Sequence, residues 1–169
     1  MTTNTFLGIP IDGEITRGST RKDQRPIEEL QPILQAVLDD PTVTEFGWRQ
    51  YTPYFNDGEP CEFGVHGLWV RTADMPEAEE GEDEDDTYRL EMYSHPALGK
   101  RQRTWNSETR SYDEAPYEGP DEARYDRCRA LEKAIEGGEF ENVLLDAFGD
   151  HAEVTVRRDG IGVEFYSHD

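Results

Sequence analysis

The chain has 169 residues, of which 38 are acidic and 17 basic, giving a formal charge of −21. Charge of that size opposes direct binding to nucleic-acid phosphates or anionic lipid, which repel it across a Debye length of about 8–10 Å. Apolar residues at 34% and aromatics at 11% still supply a core, so 1–169 is expected to fold as a single domain and not as an acidic tail.

No apolar run reaches the ~20 residues that cross a bilayer, and the opening MTTNTFLGIPIDGE has no basic stretch followed by an apolar one. A cytoplasmic location is the expectation. Cys61 and Cys128 are too few for a disulfide scaffold or a four-thiolate zinc site.

Residues 1–25 hold Gly8, Pro10, Gly13 and Gly18 together with Arg17, Arg21, Lys22 and Arg25. They read as a flexible, extended and locally basic segment that can clamp the protein's own carboxylates. From Pro26, Ile27, Leu30, Ile33, Leu34, Val37 and Leu38 recur at helical spacing, with Glu28 and Glu29 in the first turn where the helix dipole favours anions. Pro32 is expected to interrupt or reset this helix, and Asp39-Asp40-Pro41 ends it. Residues 43–51 alternate with period two, placing Phe46 and Trp48 on one face. A turn at Asn56-Asp57-Gly58 precedes a second alternating run, 61–71, with Phe63, Val65, Gly67 and Trp69. The two runs predict an antiparallel pair.

Tyr88, Leu90 and Met92 predict a third strand ending near His95-Pro96. A short strand over 102–106 is expected, then loop to Pro120. Tyr125, Cys128, Leu131, Ala134 and Ile135 mark a helix that starts at Pro120 and stops at Gly137-Gly138. Phe140, Val143, Leu144, Ala147 and Phe148 mark another, closed by Gly149. A hairpin follows, with Val154 and Val156 facing the core, a turn at Asp159-Gly160, and Ile161, Val163 and Phe165 returning. The fold class expected is α+β: a mainly antiparallel sheet of about five strands with three helices on one face.

Much of the negative charge is concentrated. DMPEAEEGEDEDD, residues 74–86, carries nine carboxylates and no cation, which predicts a solvated acidic loop. Its spacing does not match a calcium loop, which alternates ligands around a Gly and closes on a Glu, so no metal site is expected. Cys61 and His66 are five apart on a strand and point to opposite faces. This disfavours a thiol–imidazole pair and leaves Cys61 a buried or partly buried structural residue. Phosphate-loop, nucleophile-elbow, His-Glu-x-x-His and Cys-x-x-Cys motifs are all missing from the sequence. Neither an enzymatic activity nor a cofactor is therefore expected.

The loop YTPYFNDGEPC sets Tyr51, Tyr54 and Phe55 beside a Pro-bracketed turn. Such rings either anchor a partner or fold back on the sheet. The stretch WRQYTPYFNDGEPCEFGV, residues 48–65, resembles a segment of uncharacterised small proteins of bacteria and their phages. That resemblance implies a phage or mobile-element origin and a real hairpin around the loop, and it transfers no catalytic residue.

The function these features favour is an acidic interaction protein, encoded by a phage if the resemblance holds. It would bind a basic, nucleic-acid-handling enzyme of the host or its defences and occupy the basic surface in place of phosphate. Glu79, Glu80, Glu82, Asp83, Glu84, Asp85 and Asp86 are the candidate contacts, with Tyr54 and Phe55 as apolar anchors beside them. Three alternatives stay open: an immunity or antitoxin-like protein that neutralises a basic toxin, a small enzyme of unlisted type, and a protein whose acidity reflects a salt-rich cytoplasm. The sequence does not decide the oligomeric state.

Overall fold

The computed structural model describes residues 5–13, 22–54, 58, 61–74, 90–92 and 95–167. Its centre is an antiparallel sheet built on the two alternating runs. Strand β3 (Val43–Tyr51) pairs with β4 (Gly64–Thr72) on one side and with β8 (Ala152–Arg157) on the other. A two-residue strand β5 (Leu90–Glu91) adds to β4, and β9 (Gly160–Phe165) adds to β8, so the order is β5-β4-β3-β8-β9. Two short hairpins stand apart from this sheet: β1 (Thr5–Phe6) with β2 (Ile9–Pro10), and β6 (Arg103–Asn106) with β7 (Ser111–Glu114).

Three helices pack on the face that carries Phe46, Trp48 and Gln50. Helix α1 (Ile27–Leu38) contributes Leu30 and Val37, α2 (Glu122–Glu136) contributes Cys128, Leu131 and Ile135, and α3 (Glu141–Phe148) contributes Leu144. The expected α+β class and the one-sided placement of the helices hold. Gln50 is fully buried, and every polar atom of its amide is used. Its oxygen accepts from the Trp48 indole N–H at 3.0 Å, and its nitrogen donates to the carbonyls of Leu144 and Gly149, each at 2.8 Å. This amide joins β3 to the middle of α3 at Leu144 and to Gly149 just past its end.

Several expectations need correction. Pro32 neither interrupts nor resets α1, which runs unbroken from Ile27 with the proline inside it. Strand β4 does not alternate strictly. Gly67 has φ of 65°, and the β3–β4 register shifts between Gly47 and Arg49. The irregularity returns Leu68 and Val70 to the helix face and sends Trp69 to the other, so Val65 and Trp69 lie on opposite sides. Trp69 then covers Gly47, where an added Cβ would lie 2.6 Å from the indole and 2.1 Å from the Val154 carbonyl oxygen.

The expected loop after residue 106 contains β7, held to β6 by an edge-to-face contact of Trp105 and Tyr112 at 5.0 Å. Asp121, not Pro120, caps α2, its side chain accepting the Arg124 backbone N–H. The final hairpin turns at Arg158-Asp159, one residue earlier than expected, because Arg157 pairs with Gly160. Cys61 is exposed, whereas Cys128 is buried and its thiol is pushed up to about 12 by desolvation. The third strand expected from Tyr88 to Tyr93 is described only at Leu90–Glu91. At the N-terminus, residues 5–10 form the β1–β2 hairpin. The expected clamp is made by Arg25, which donates to Glu139 at 2.9 Å, whereas Arg17 and Arg21 lie outside the described residues.

His95 locks the start of the segment after β5. Its Nδ1 accepts backbone N–H groups from Ala97 and Leu98, each at 3.2 Å, which leaves Nε2–H to donate to the Val70 carbonyl at 2.9 Å. The buried ring is therefore held neutral, and desolvation lowers its pKa. A lowered histidine pKa means that the unfolded chain takes up a proton first as pH falls below about 6.5. This contribution is complete above that pH and is lost on acidification, with a limiting slope of about 1.4 kcal/mol per pH unit. Urea denaturation from pH 7 to 5.5 is expected to give a shallower pH dependence for His95→Gln than for the native chain. Equal slopes would contradict the neutral latch.

Candidate partner-binding surface

Glu79, Glu80, Glu82, Asp83, Glu84, Asp85, Asp86 and Phe55 lie outside the described residues. Of the acidic run only Asp74 is described, and it and Leu90, the next described residue, sit at one edge of the sheet. Asp74 lies two residues past the end of β4, and Leu90 opens β5, which pairs back onto β4 through Val70 and Trp69. Residues 73–89 are thus the connection between two adjacent antiparallel strands.

Tyr54 follows the opposite end of β3 from this connection. Nine residues of strand separate the two ends, roughly 25–30 Å at about 3.3 Å per residue. Tyr54 is 62% exposed, and its ring stacks on His151 at 5.0 Å, with Phe165 6.1 Å beyond. With His151 and Phe165 it forms an aromatic patch at the end of the sheet away from Asp74.

Asp74 itself is turned inward. Arg124, 2% exposed, donates to both Asp74 oxygens at 3.0 and 3.1 Å, to the Ala97 carbonyl at 2.6 Å and to Thr42 Oγ1 at 3.0 Å. Those hydrogen bonds hold the Asp74 carboxyl below the usual carboxylate range. Next to this anchor, Asp40 accepts from Arg127 at 2.7 Å and from the backbone and hydroxyl of Thr42. Its pKa is lowered by these bonds against the opposing effect of burial.

Helix α2 runs from Arg124 along β4 and carries further carboxylates beside the same edge. Glu136 accepts the Gly67 backbone N–H at 3.0 Å. Its pKa is raised by partial burial and by the nearby charges of Glu132 and Glu91. These three line an open cleft of about 560 Å³ over Leu68, with Lys22 and Lys133 also in its wall. Glu132 and Glu136 were not singled out from sequence. Their i,i+4 like-charge spacing on a predicted helix, mildly unfavourable in an isolated helix, was the available signal.

A second cleft, about 200 Å³, gathers Arg101, Arg103, Arg129 and Lys133 with Tyr125, Glu114 and Asp126. Its cations are largely neutralised in place. Arg101 donates to Glu122 and Asp126 at 2.5 and 3.1 Å, Arg129 pairs with Glu132, and Arg103 lies over the Tyr112 ring at 4.9 Å. Neither cleft contains His66 or Cys61, and among the described residues no three His, Cys, Asp or Glu side chains group as metal ligands. No described helix is long and apolar enough to cross a membrane.

Removing the charge of Asp74 leaves a buried guanidinium with fewer compensating acceptors. Because Asp74 is half exposed and Arg124 keeps Ala97 and Thr42, the expected loss for Asp74→Asn is about 1–3 kcal/mol, below the full cost of breaking a buried pair. Chemical denaturation checks this, and pairing Asp74→Asn with Arg124→Met should cost less than the two single changes added together. Additive costs would show that the two groups do not interact.

No protein-family model, curated protein or solved structure matches the chain, so the resemblance of residues 48–65 to small bacterial and phage proteins rests on that segment alone.

Proposed function

We propose that the protein is a non-catalytic acidic interaction protein, phage-encoded and acting in the host cytoplasm. Its target is the basic surface of a nucleic-acid-handling protein, whose Lys and Arg side chains it occupies in place of phosphate. The observation that carries this reading is the carboxylate run at residues 74–86, which lies between β4 and β5 in the chain. That run holds nine carboxylates and no cation, and Glu91, Glu132 and Glu136 meet beside the same strands over Leu68.

The use made of the arginines supports the same reading. Arg25, Arg49, Arg71, Arg101, Arg124, Arg127, Arg129 and Arg157 each hold a carboxylate of this chain. Arg158 donates to the Asp40 and Val43 carbonyls. These side chains are engaged within the molecule, so the excess carboxylates are left to meet external cations. Duplex DNA presents about one charge per 1.7 Å of axis, and a dense carboxylate strip can release the same counterions from a basic groove. Exposed ion pairs supply only about 0–1 kcal/mol each. Charge therefore sets the rate and register of encounter, and apolar contact must supply tightness.

Affinity capture from host lysate with the full chain tests the proposal. The comparison variant carries Glu79→Gln, Glu80→Gln, Glu82→Gln, Asp83→Asn, Glu84→Gln, Asp85→Asn and Asp86→Asn. A basic nucleic-acid-binding protein is expected to be retained at low salt, released at high salt, and not retained by the variant. Retention that ignores salt, or that survives neutralisation of the seven carboxylates, would overturn it.

A further inference from the structure

Strand β9 ends the sheet, and among the described residues nothing pairs with its outer edge. The two-residue turn makes Arg157 and Gly160 a hydrogen-bonded pair, so the pairs Thr155–Gly162 and Glu153–Glu164 are hydrogen-bonded too. The Tyr166 N–H continues that alternation, donating to the His151 carbonyl at 2.7 Å. Ile161, Val163 and Phe165 therefore aim both backbone groups away from β8. Their side chains share the helix face with Val156, Val154 and Ala152, yet no helix covers them: they are 52%, 48% and 74% exposed.

Edge strands of soluble proteins are commonly protected by Lys, Pro, a bulge or a covering element. The sequence GIGVEF has neither Lys nor Pro, and its register with β8 is unbroken. We infer that β9 is a self-association edge that pairs antiparallel with β9 of a second copy about a two-fold axis through Val163.

Residue parity and charge select this occupant. A two-fold axis perpendicular to the sheet keeps each face in register. Val163 then meets Val163 of the second copy, Ile161 meets Phe165 and Phe165 meets Ile161, each pair exchanging two backbone hydrogen bonds between the outward groups. The apolar row becomes continuous across both copies. Glu164, the only ionisable residue of the strand, falls opposite Gly162 of the second copy, so no like charges stand directly opposed. The interaction is independent of the proposed basic partner, since it uses the opposite edge of the sheet from the acidic connection.

Two opposing effects set its strength. A six-residue edge covers less than the ~1,200 Å² at the low end of standard interfaces, and two bodies of charge −21 repel each other. The dimer is therefore expected at micromolar or higher concentration and to be promoted by salt, which screens the repulsion while favouring apolar burial.

Sedimentation velocity on the full chain, across a concentration series at low and molar salt, tests this. A monomer–dimer equilibrium is expected, with the dissociation constant falling about tenfold or more as salt rises. Val163→Pro removes one outward N–H without touching the β8 ladder, and it should weaken the dimer at least tenfold while the melting temperature stays near the native value. If that variant misfolds, Val163→Cys in a Cys61→Ser background gives an independent readout. The two-fold places the substituted positions about 5.5 Å apart between Cα atoms, within disulfide reach, so mild oxidation should yield a covalent dimer, whereas Thr155→Cys in the same background should not. A monomer under every condition, a dimer indifferent to Val163→Pro, or equal cross-linking at both positions would overturn the inference.

Discussion

Arg124 carries a guanidinium into a place almost closed to water, and the structure around it is arranged to make that position tolerable. Its acceptors come from three places in the chain, Thr42 before β3, Asp74 after β4 and Ala97 after β5, and all three meet it on helix α2, which carries Arg124 itself. Among the described residues its Nε has no hydrogen-bond partner, and taking the remaining acceptors from a buried cation is strongly destabilising, so these segments are held together around it. One consequence reaches the surface. The acidic connection leaves the sheet from Asp74, so the buried cation determines where that run departs.

The same logic governs the other cations. In a chain of charge −21, an arginine that pairs internally relieves local repulsion and fixes a junction, as Arg25 does between α1 and the α2–α3 turn and Arg127 does beside Asp40. Glu45 takes two of them, Arg71 and Arg157, on the face of the sheet away from the helices. Glu91, Glu132 and Glu136 meet beside β4 and β5, while the strand at the opposite edge, β9, carries Glu164 as its only ionisable residue. The two edges of the sheet thus differ in charge.

Much of the architecture was legible wherever periodicity was clean. Phe46 and Trp48 marked β3, the apolar face of 125–135 marked α2, and Val154 and Val156 marked β8. What escaped depended on contacts remote in sequence. The positive φ at Gly67 shifts β4 by one residue and turns Trp69 onto Gly47, which no alternation count reveals. Strand β7 has only Tyr112 as an apolar residue and exists through its pairing with Trp105. Pro32 lies within a helix held by tertiary packing of Leu30 and Val37, which overrides local propensity. Gln50 and Arg124 read as surface residues until their acceptors are seen. Of the candidate surface, the acidic run was evident from composition alone. Tyr54 lies past the far end of β3 from Asp74, and the carboxylates expected beside it lie outside the described residues.

The account rests on the claim that the carboxylates along the β4–β5 edge stand in for phosphate. Its most direct measurement is a displacement titration, in which the full chain is added to a captured basic partner already bound to labelled duplex DNA. Release of the DNA in competitive fashion, with an apparent affinity that weakens linearly in log affinity against log salt, is the predicted result. A ternary complex in which DNA and protein remain bound together would contradict it.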